Sequence, residues 1–342
     1  MTKILIILTG GTIGSSEENG IISTEKSERC HFVELYNLKY NDDCIFEIKQ
    51  PLNILSENLD KSHWEIIVNT VLDTDISDYD GIIITHGSDT LSYSSSMLAM
   101  CLRHIDIPII ITAGNYVPDD SRSNALINLH SAVILIKTLE RGIFTVFANE
   151  GDDYCSVYIP TRIREADRFS DRFSSFDGVC YGRILNDKFI QNISLPSLKE
   201  IYEEKQPIIK RLSLKTDIIM IRPYPSINYS VINIEDNIGA VLHITYHSAT
   251  AKTDGENSAL ALLKKCRQKN IDFYCASFKS RNSSMYETSS ILIKNGALPL
   301  YNISDEAAYT KLLLCYNSDV KDKQYFMQNN IYFEEISKTN NF

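Results

Sequence analysis

The sequence predicts an α/β protein of two domains, a larger one over residues 1–195 and a smaller one over 212–342, each a parallel sheet clothed by helices. Three observations predict it. Short aliphatic runs such as Ile4–Leu8, Gly81–Thr85 and Ile107–Thr112 are continuous rather than alternating, the pattern of strands buried on both faces. Segments with apolar residues at helical spacing fall between them, and that alternation makes parallel βαβ units. The alternation stops in a polar, charged stretch over 194–213 and then restarts, which marks a linker at 196–211.

Ile4–Leu8 is the first strand, and Thr9-Gly10-Gly11-Thr12-Ile13-Gly14 follows at once. Two adjacent glycines let the backbone turn sharply and approach a ligand. Thr12 falls just past the carboxyl end of the strand, where open α/β sheets bind ligands. Its hydroxyl sits on a stiff β-branched stem, which suits a nucleophile; a local capping role is the alternative. Residues 15–31 are polar and read as a mobile loop over the strand's end. Cys44–Lys49 is a second strand, Pro51–Leu59 a loop, and His63–Leu72 a helix with Trp64, Ile67, Val68 and Val71 on one face.

The third strand, Gly81–Thr85, runs into His86-Gly87-Ser88-Asp89-Thr90-Leu91 and a helix over Ser92–Leu102. Gly87 permits the turn. Ser88, Asp89 and Thr90 place two hydroxyls and a carboxylate at the helix N-terminus, either as caps or as part of a site. Two such turns in one sheet are expected to meet at its carboxyl edge and flank one small ligand. His86, at a strand end, reads as a packed, hydrogen-bonded residue rather than a base. Ile107–Thr112, a helix over Ser123–Leu139 and Ile143–Ala148 complete the first domain. Strands Ile218–Ile221, Ala240–Tyr246 and Asp272–Ala276 and helices Asn257–Lys269, Thr288–Asn295 and Glu306–Leu314 make the second.

Composition removes several function classes. A net charge of -10 argues against nucleic acid as a partner, because such binding needs clustered Lys and Arg. No apolar run approaches the ~20 residues of a membrane helix. Met1-Thr2-Lys3 leads straight into the strand, so a cytoplasmic protein without a signal peptide is expected. The eight cysteines form no CxxC pair and fit reduced thiols, with Cys101, Cys180 and Cys275 as core residues. The seven histidines lack ligand spacing: His243 and His247 are four apart, but on a strand rather than a helix. No metal and no cofactor are expected.

The two turns together resemble those of the bacterial L-asparaginase family, cytoplasmic type I-like. Ile6–Gly14 is similar to its first signature, an aliphatic strand ending in Thr-Gly-Gly-Thr-Ile-Gly. Gly81–Leu91 is similar to its second, a strand followed by His-Gly-Thr-Asp-Thr, apart from Ser88. Pro51-Leu52, Leu55-Ser56-Glu57 and Trp64 resemble its substrate-serine loop and next helix. Thr112, Arg122-Ser123-Asn124 and Asn128-Leu129 resemble its Arg-Ser-Asp…Asn-Leu segment. Tyr286, Thr288, Gly296 and Glu306-Ala307…Thr310-Lys311-Leu312 resemble its C-terminal domain.

The resemblance implies a larger N-terminal flavodoxin-like parallel sheet, a smaller C-terminal α/β domain, and hydrolysis of a side-chain amide to acid and ammonia. It implies that Thr12 attacks the amide carbon and that water cleaves the acyl-enzyme. Ser88, Asp89 and the residue matching the family's lysine would stand opposite. Asp89 would pair with the substrate's α-ammonium. Ser56, with Glu57 beside it, would hold the α-carboxylate. Gly87 and the backbone N–H of Ser88 would line the oxyanion side. A homodimer or homotetramer is implied.

The sequence departs from the family at four places. Ile21, after Gly20, matches its loop tyrosine. Ser88 replaces threonine. Counting back from Phe173 and Ser175, past an insertion near Asp152–Ser156, puts Arg164 at the lysine position; Glu165 is one further shift away. Arginine keeps its proton, so Arg164 would orient a hydroxyl without acting as a base. His247-Ser248-Ala249-Thr250 replaces a Gly-x-Gly-Asn segment. Tyr154 or Tyr158 is an alternative source of a hydroxyl.

Three readings follow. The first is an amidohydrolase of asparagine or a related amide. The second is a weak or inactive homologue that binds an amino acid or a partner, or a specialised amidase with a different substrate. The third is an amidotransferase component that deamidates glutamine for charged tRNA, disfavoured by the acidity and by a chain that opens on the first strand.

Overall fold

The computed structural model describes residues 1–11, 13, 16–18, 21–23, 31–40, 42–195, 197, 200, 209–279 and 284–336. The chain divides into two compact units, Met1–Leu212 and Ser213–Phe342.

The N-terminal unit is built on an eight-stranded sheet. Five strands are parallel: β1 (Thr2–Leu8), β4 (Cys44–Lys49), β5 (Gly81–Thr85), β6 (Pro108–Thr112) and β7 (Gly142–Phe147). In space they run β4-β1-β5-β6-β7. Every residue of β5, β6 and β7 is buried, as the unbroken aliphatic runs require, whereas edge strand β4 alternates in exposure. Helices α1 (His31–Tyr40) and α4 (Ala125–Thr138) meet through Tyr40, whose ring stacks on His130 at 3.9 Å. Helices α2 (Lys61–Leu72) and α3 (Leu91–Leu102) meet where Trp64 Nε1 donates to Ser94 Oγ at 2.9 Å.

The structure corrects the expectation at two places. Residues 15–31 are not simply a loop: β2 (Ser16–Glu18) and β3 (Ile21–Ser23) pair as an antiparallel hairpin, and His31 already opens α1. The sheet is also mixed rather than wholly parallel. Strands β8 (Cys155–Tyr158), β9 (Gly182–Leu185) and β10 (Lys188–Gln191) extend it antiparallel beyond β7. Asn186 and Asp187 join β9 to β10 with φ of 51° and 57°, the paired left-handed residues of a tight hairpin. The insertion near Asp152–Ser156 thus leads into β8. Most of the linker expected at 196–211 lies outside the described residues. Its end is fixed, because Asn69 Nδ2 donates to Leu212 O and Leu212 N donates to Asn69 Oδ1.

The C-terminal unit is a four-stranded parallel sheet, β11 (Asp217–Ile221), β12 (Ile238–Ile244), β13 (Asp272–Phe278) and β14 (Leu298–Tyr301), in that order. Val241, Phe273 and Cys275 face a core completed by Leu262, Leu263 and Cys266 of α5 (Ala259–Gln268) and Leu292 of α6 (Glu287–Lys294). Helix α7 (Asp305–Asn317) carries Lys311, which is 1% exposed and pairs with the fully buried Glu334 at 2.6 Å. Lys311 also donates to Asn329 O at 2.8 Å, and Glu334 accepts from the backbone of Ile331 and Tyr332. The pair ties the last described turn to the helix that precedes α8 (Lys323–Gln328). His243 lies on β12 beside the Tyr229 hydroxyl at 2.9 Å, and burial pushes it down to about 4. No helix among the described residues is long and apolar enough to cross a membrane.

Candidate active site

Three chain segments cross at the carboxyl edge of the N-terminal sheet. Parallel pairing of β1 with β5 sets their following turns side by side, Leu8 opposite Thr85. Gly11 has φ of +76°, and a Cβ built on it would lie 2.6 Å from Gly87 Cα and N. A Cβ on Gly87 would in turn overlap Ser56, landing 2.5 Å from its Cβ. Backbone approach and a positive φ thus favour glycine at Gly11, and the Ser56 side chain leaves no room for a Cβ at Gly87. The third segment is tied in by hydrogen bonds: Ile54 N to Thr9 O, Gly11 N to Ile54 O at 3.0 Å, and Thr90 Oγ1 to Ser56 O at 3.0 Å. Thr90 therefore spends its hydroxyl across the crossing rather than as a cap on α3.

Ser56 is buried at this crossing, and Glu57 is exposed on the 3-10 turn Ser56–Asn58. Thr12 lies outside the described residues. Its neighbour Gly11 is the one that touches Gly87. Ile21 belongs to β3.

Ser88 and Asp89 line a cleft of about 450 Å³. Asn115 and Tyr116 line it from the segment after β6. Glu165, Arg168, Asp171 and Phe173 line it from the long connection after β8. Among the described residues, no hydrogen bond or ion pair engages the Ser88 or Asp89 side chain. No lysine or histidine is among the described residues that line the cleft.

Arg164 and Glu165 part company here. Residues 162–164 run antiparallel to 174–176: Phe176 N donates to Arg162 O, Arg164 N donates to Ser174 O, and Ile163 bridges Ser175. In such a pairing, alternate side chains point to opposite sides. Arg162 is buried against Asp177 at 2.9 Å, and Arg164, two residues on, lies over the Phe176 ring at 5.9 Å. Arg164 is not among the cleft's lining residues; Glu165 is. Tyr93, the one half-buried residue of α3, donates its hydroxyl to Glu165 Oε1 at 2.8 Å.

The surrounding residues serve as scaffold. Asn128 Nδ2 donates to Ala113 O and its Oδ1 accepts from Ala148 N, so one side chain joins the ends of β6 and β7. Asn124 accepts from Asn115 N and donates to Ala148 O. Arg122 stacks over Tyr116 at 4.2 Å, and its guanidinium holds Asp120 down at about 2. His86 is buried, which lowers its pKa. Gly87 O accepts from Nδ1–H, and Nε2 accepts from Ser94, which itself accepts from Trp64. That closed chain makes His86 a structural residue, as its place at a strand end suggested.

Tyr158 is equally committed, its hydroxyl donating to Phe173 O at 3.0 Å in the core. Tyr154 lies under Arg183 at 5.9 Å. Cys101 and Cys275 are buried thiols, but Cys180 is only half-buried; the seven described cysteines are all free.

Tyr93, Tyr116 and Arg168 were not singled out by sequence reasoning as parts of the cleft, and Glu165 entered only as the residue one further shift from Arg164. Tyr93 had no signal, since 72 residues separate it from Glu165.

Comparison with known proteins adds four findings. A model of the family "Asparaginase, N-terminal" matches residues 3–193. The chain is 26% identical over 323 residues to one of the subunits of the glutamyl-tRNA(Gln) amidotransferase from Methanosphaera stadtmanae, covering 91% of this chain and 71% of that one. It is 25% identical over 335 residues to an L-asparaginase from Thermococcus kodakarensis, covering 96% and 98%. The solved structure of the thermostable L-asparaginase from Thermococcus kodakarensis superposes with a TM-score of 0.79 at 21% identity, over 98% of this chain and all of that one.

Proposed function

The chain belongs to the asparaginase family, and on that premise we propose that it hydrolyses a carboxamide at the Ser88–Asp89–Glu165 cleft with Thr12 as nucleophile. The contact of Gly11 with Gly87 carries this reading, because it draws the turn bearing Thr12 against the turn bearing Ser88 and Asp89. Thr12 attacks the amide carbon, ammonia leaves, and water cleaves the ester. Asp89 pairs with a substrate ammonium and Ser56 supports its carboxylate end. The backbone N–H of Ser88, beside Gly87, stabilises the oxyanion. We expect a homodimer or homotetramer, to be read by light scattering.

The test is ammonia release from asparagine, glutamine and larger amides at about pH 6–9, the range in which such proton transfers operate. Thr12→Ala serves as control. Turnover abolished in the variant supports the reading. No turnover of any amide, or equal turnover by Thr12→Ala, overturns it. Tight calorimetric binding of aspartate without turnover would instead mark an amino-acid-binding homologue.

A second reading rests on the relative named as an amidotransferase subunit. On it, the chain releases ammonia from glutamine within an assembly. Glutaminase activity that rises on adding glutamyl-tRNA(Gln) and the remaining subunits would favour it over free asparagine hydrolysis.

A further inference from the structure

We propose that Glu165, one residue past the position the count assigns to the family's lysine, is the proton acceptor of this cleft; the inference rests on the amidohydrolase reading. An attacking hydroxyl must give up its proton, and the leaving nitrogen must gain one. Arginine and a buried structural histidine are unsuited to that exchange. Arg164 is turned away over Phe176, and His86 is committed to Gly87 and Ser94. Among the described residues that line the cleft, the side chains able to take up a proton are the carboxylates of Asp89, Glu165 and Asp171. Asp89 and Asp171 are exposed, whereas Glu165 is half-buried. Only for Glu165, among these three, does the structure give a hydrogen bond from another element that fixes the carboxyl group, the one from Tyr93 at 2.8 Å. Pre-orientation of this kind is what a base needs. Tyr93 of α3 bonds to it, and the charged groups Asp89, Arg168 and Asp171 line the same cleft.

The steps balance without any further reagent. The Thr12 oxygen bonds to the amide carbon, the carbonyl π pair moves onto oxygen, and the hydroxyl proton passes to the Glu165 carboxylate. On collapse the C–N bond breaks, and Glu165 returns that proton to the departing nitrogen, giving ammonia and the ester. Water then attacks the ester, its proton passing to Glu165. The C–O bond to Thr12 breaks, and the proton returns to the threonine oxygen. Glu165 ends ionised, as it began.

The experiment measures kcat and KM for ammonia release by wild type, Glu165→Gln, Glu165→Asp and Glu165→Ala, with folding checked by the fluorescence of Trp64. Glu165→Gln is expected to lose about 10²–10⁴-fold in kcat, with KM changed by less than about threefold. Glu165→Asp should fall between it and wild type. Formate, a free carboxylate small enough for the vacated space, should restore part of the Glu165→Ala rate; a structural role would not respond to it. A Glu165→Gln kcat within about threefold of wild type, or no effect of formate, overturns the inference while leaving the amidohydrolase reading intact. Should the Gln and Ala variants not fold, Glu165→Asp decides: a reduced kcat at unchanged KM supports the inference, and wild-type kcat overturns it. A wild type that turns over no amide overturns the parent reading and this one with it.

Discussion

Substituting Gly11 by alanine separates the two forces that shape the candidate site. Its φ of +76° is strained for any residue with a Cβ, and the new methyl would lie 2.6 Å from Gly87 Cα and N. Those are backbone atoms in the turn after a buried strand, so no rotamer change relieves the overlap. Gly151, in the same unit, provides the control: its φ is +83°, but nothing lies within 4 Å of a Cβ placed there. Gly151→Ala therefore meets backbone strain alone, about 1–2 kcal/mol. Gly11→Ala meets the same strain plus overpacking of about 1–3 kcal/mol. For a unit of roughly 200 residues, 1 kcal/mol shifts Tm by about 2–4 °C. The N-terminal variant should melt about 2–12 °C below the control. The chain's single tryptophan, Trp64, lies in this unit, so its fluorescence follows this transition. Ammonia release should fall further in Gly11→Ala than in Gly151→Ala. Equal melting temperatures and equal rates in the two variants would refute the claim that the turns are pressed together.

The remaining predictions concern buried charges and one hydroxyl. Lys311→Met leaves the Glu334 carboxylate buried without its cation and should cost about 3–5 kcal/mol, read as a lower calorimetric transition for the C-terminal unit. An unchanged transition would count against the burial argument. His243 is lowered to about 4 by burial, below its ordinary 6.5. The unfolded chain therefore binds the proton first, and stability is full above about 6.5 and is lost between about 6.5 and 4, by about 3 kcal/mol. His243→Gln should flatten that acid slope in urea titrations, and an unchanged slope would exclude His243 as its source. Tyr93→Phe removes the hydrogen bond to Glu165 and should lower kcat about fivefold, the worth of about 1 kcal/mol, with little change in Tm; an unaltered kcat would deny Tyr93 a positioning role.

Much of the fold was legible because its determinants are local. The uninterrupted runs at Ile4–Leu8 and Gly81–Thr85 announce strands buried on both faces, and β5 spans Gly81–Thr85 in the structure. The helix expected at His63–Leu72 starts two residues earlier, where Asp60 caps it by accepting from Ser62 N and His63 N. The antiparallel strands were passed over, although Asn186-Asp187 between two short apolar segments is a hairpin signal. In the candidate site, the glycine turns could be read because close approach favours glycine wherever it occurs. The residue at the lysine position could not, because an insertion leaves two counts one residue apart. That one residue decides which side chain faces the cleft.

Sequence by itself determined the alternation of strands and helices, the two glycine turns at Gly11 and Gly87, and the chain's acidity. Each follows from residue periodicity, steric need or charge, none of which requires knowing what lies nearby. Tertiary structure alone decided that Glu165 faces the cleft while Arg164 lies over Phe176, that Tyr93 reaches Glu165 across 72 residues, and that Lys311 is sealed against Glu334. Those are meetings between distant segments, set by strand register and helix packing, and a linear chain carries no local mark of them.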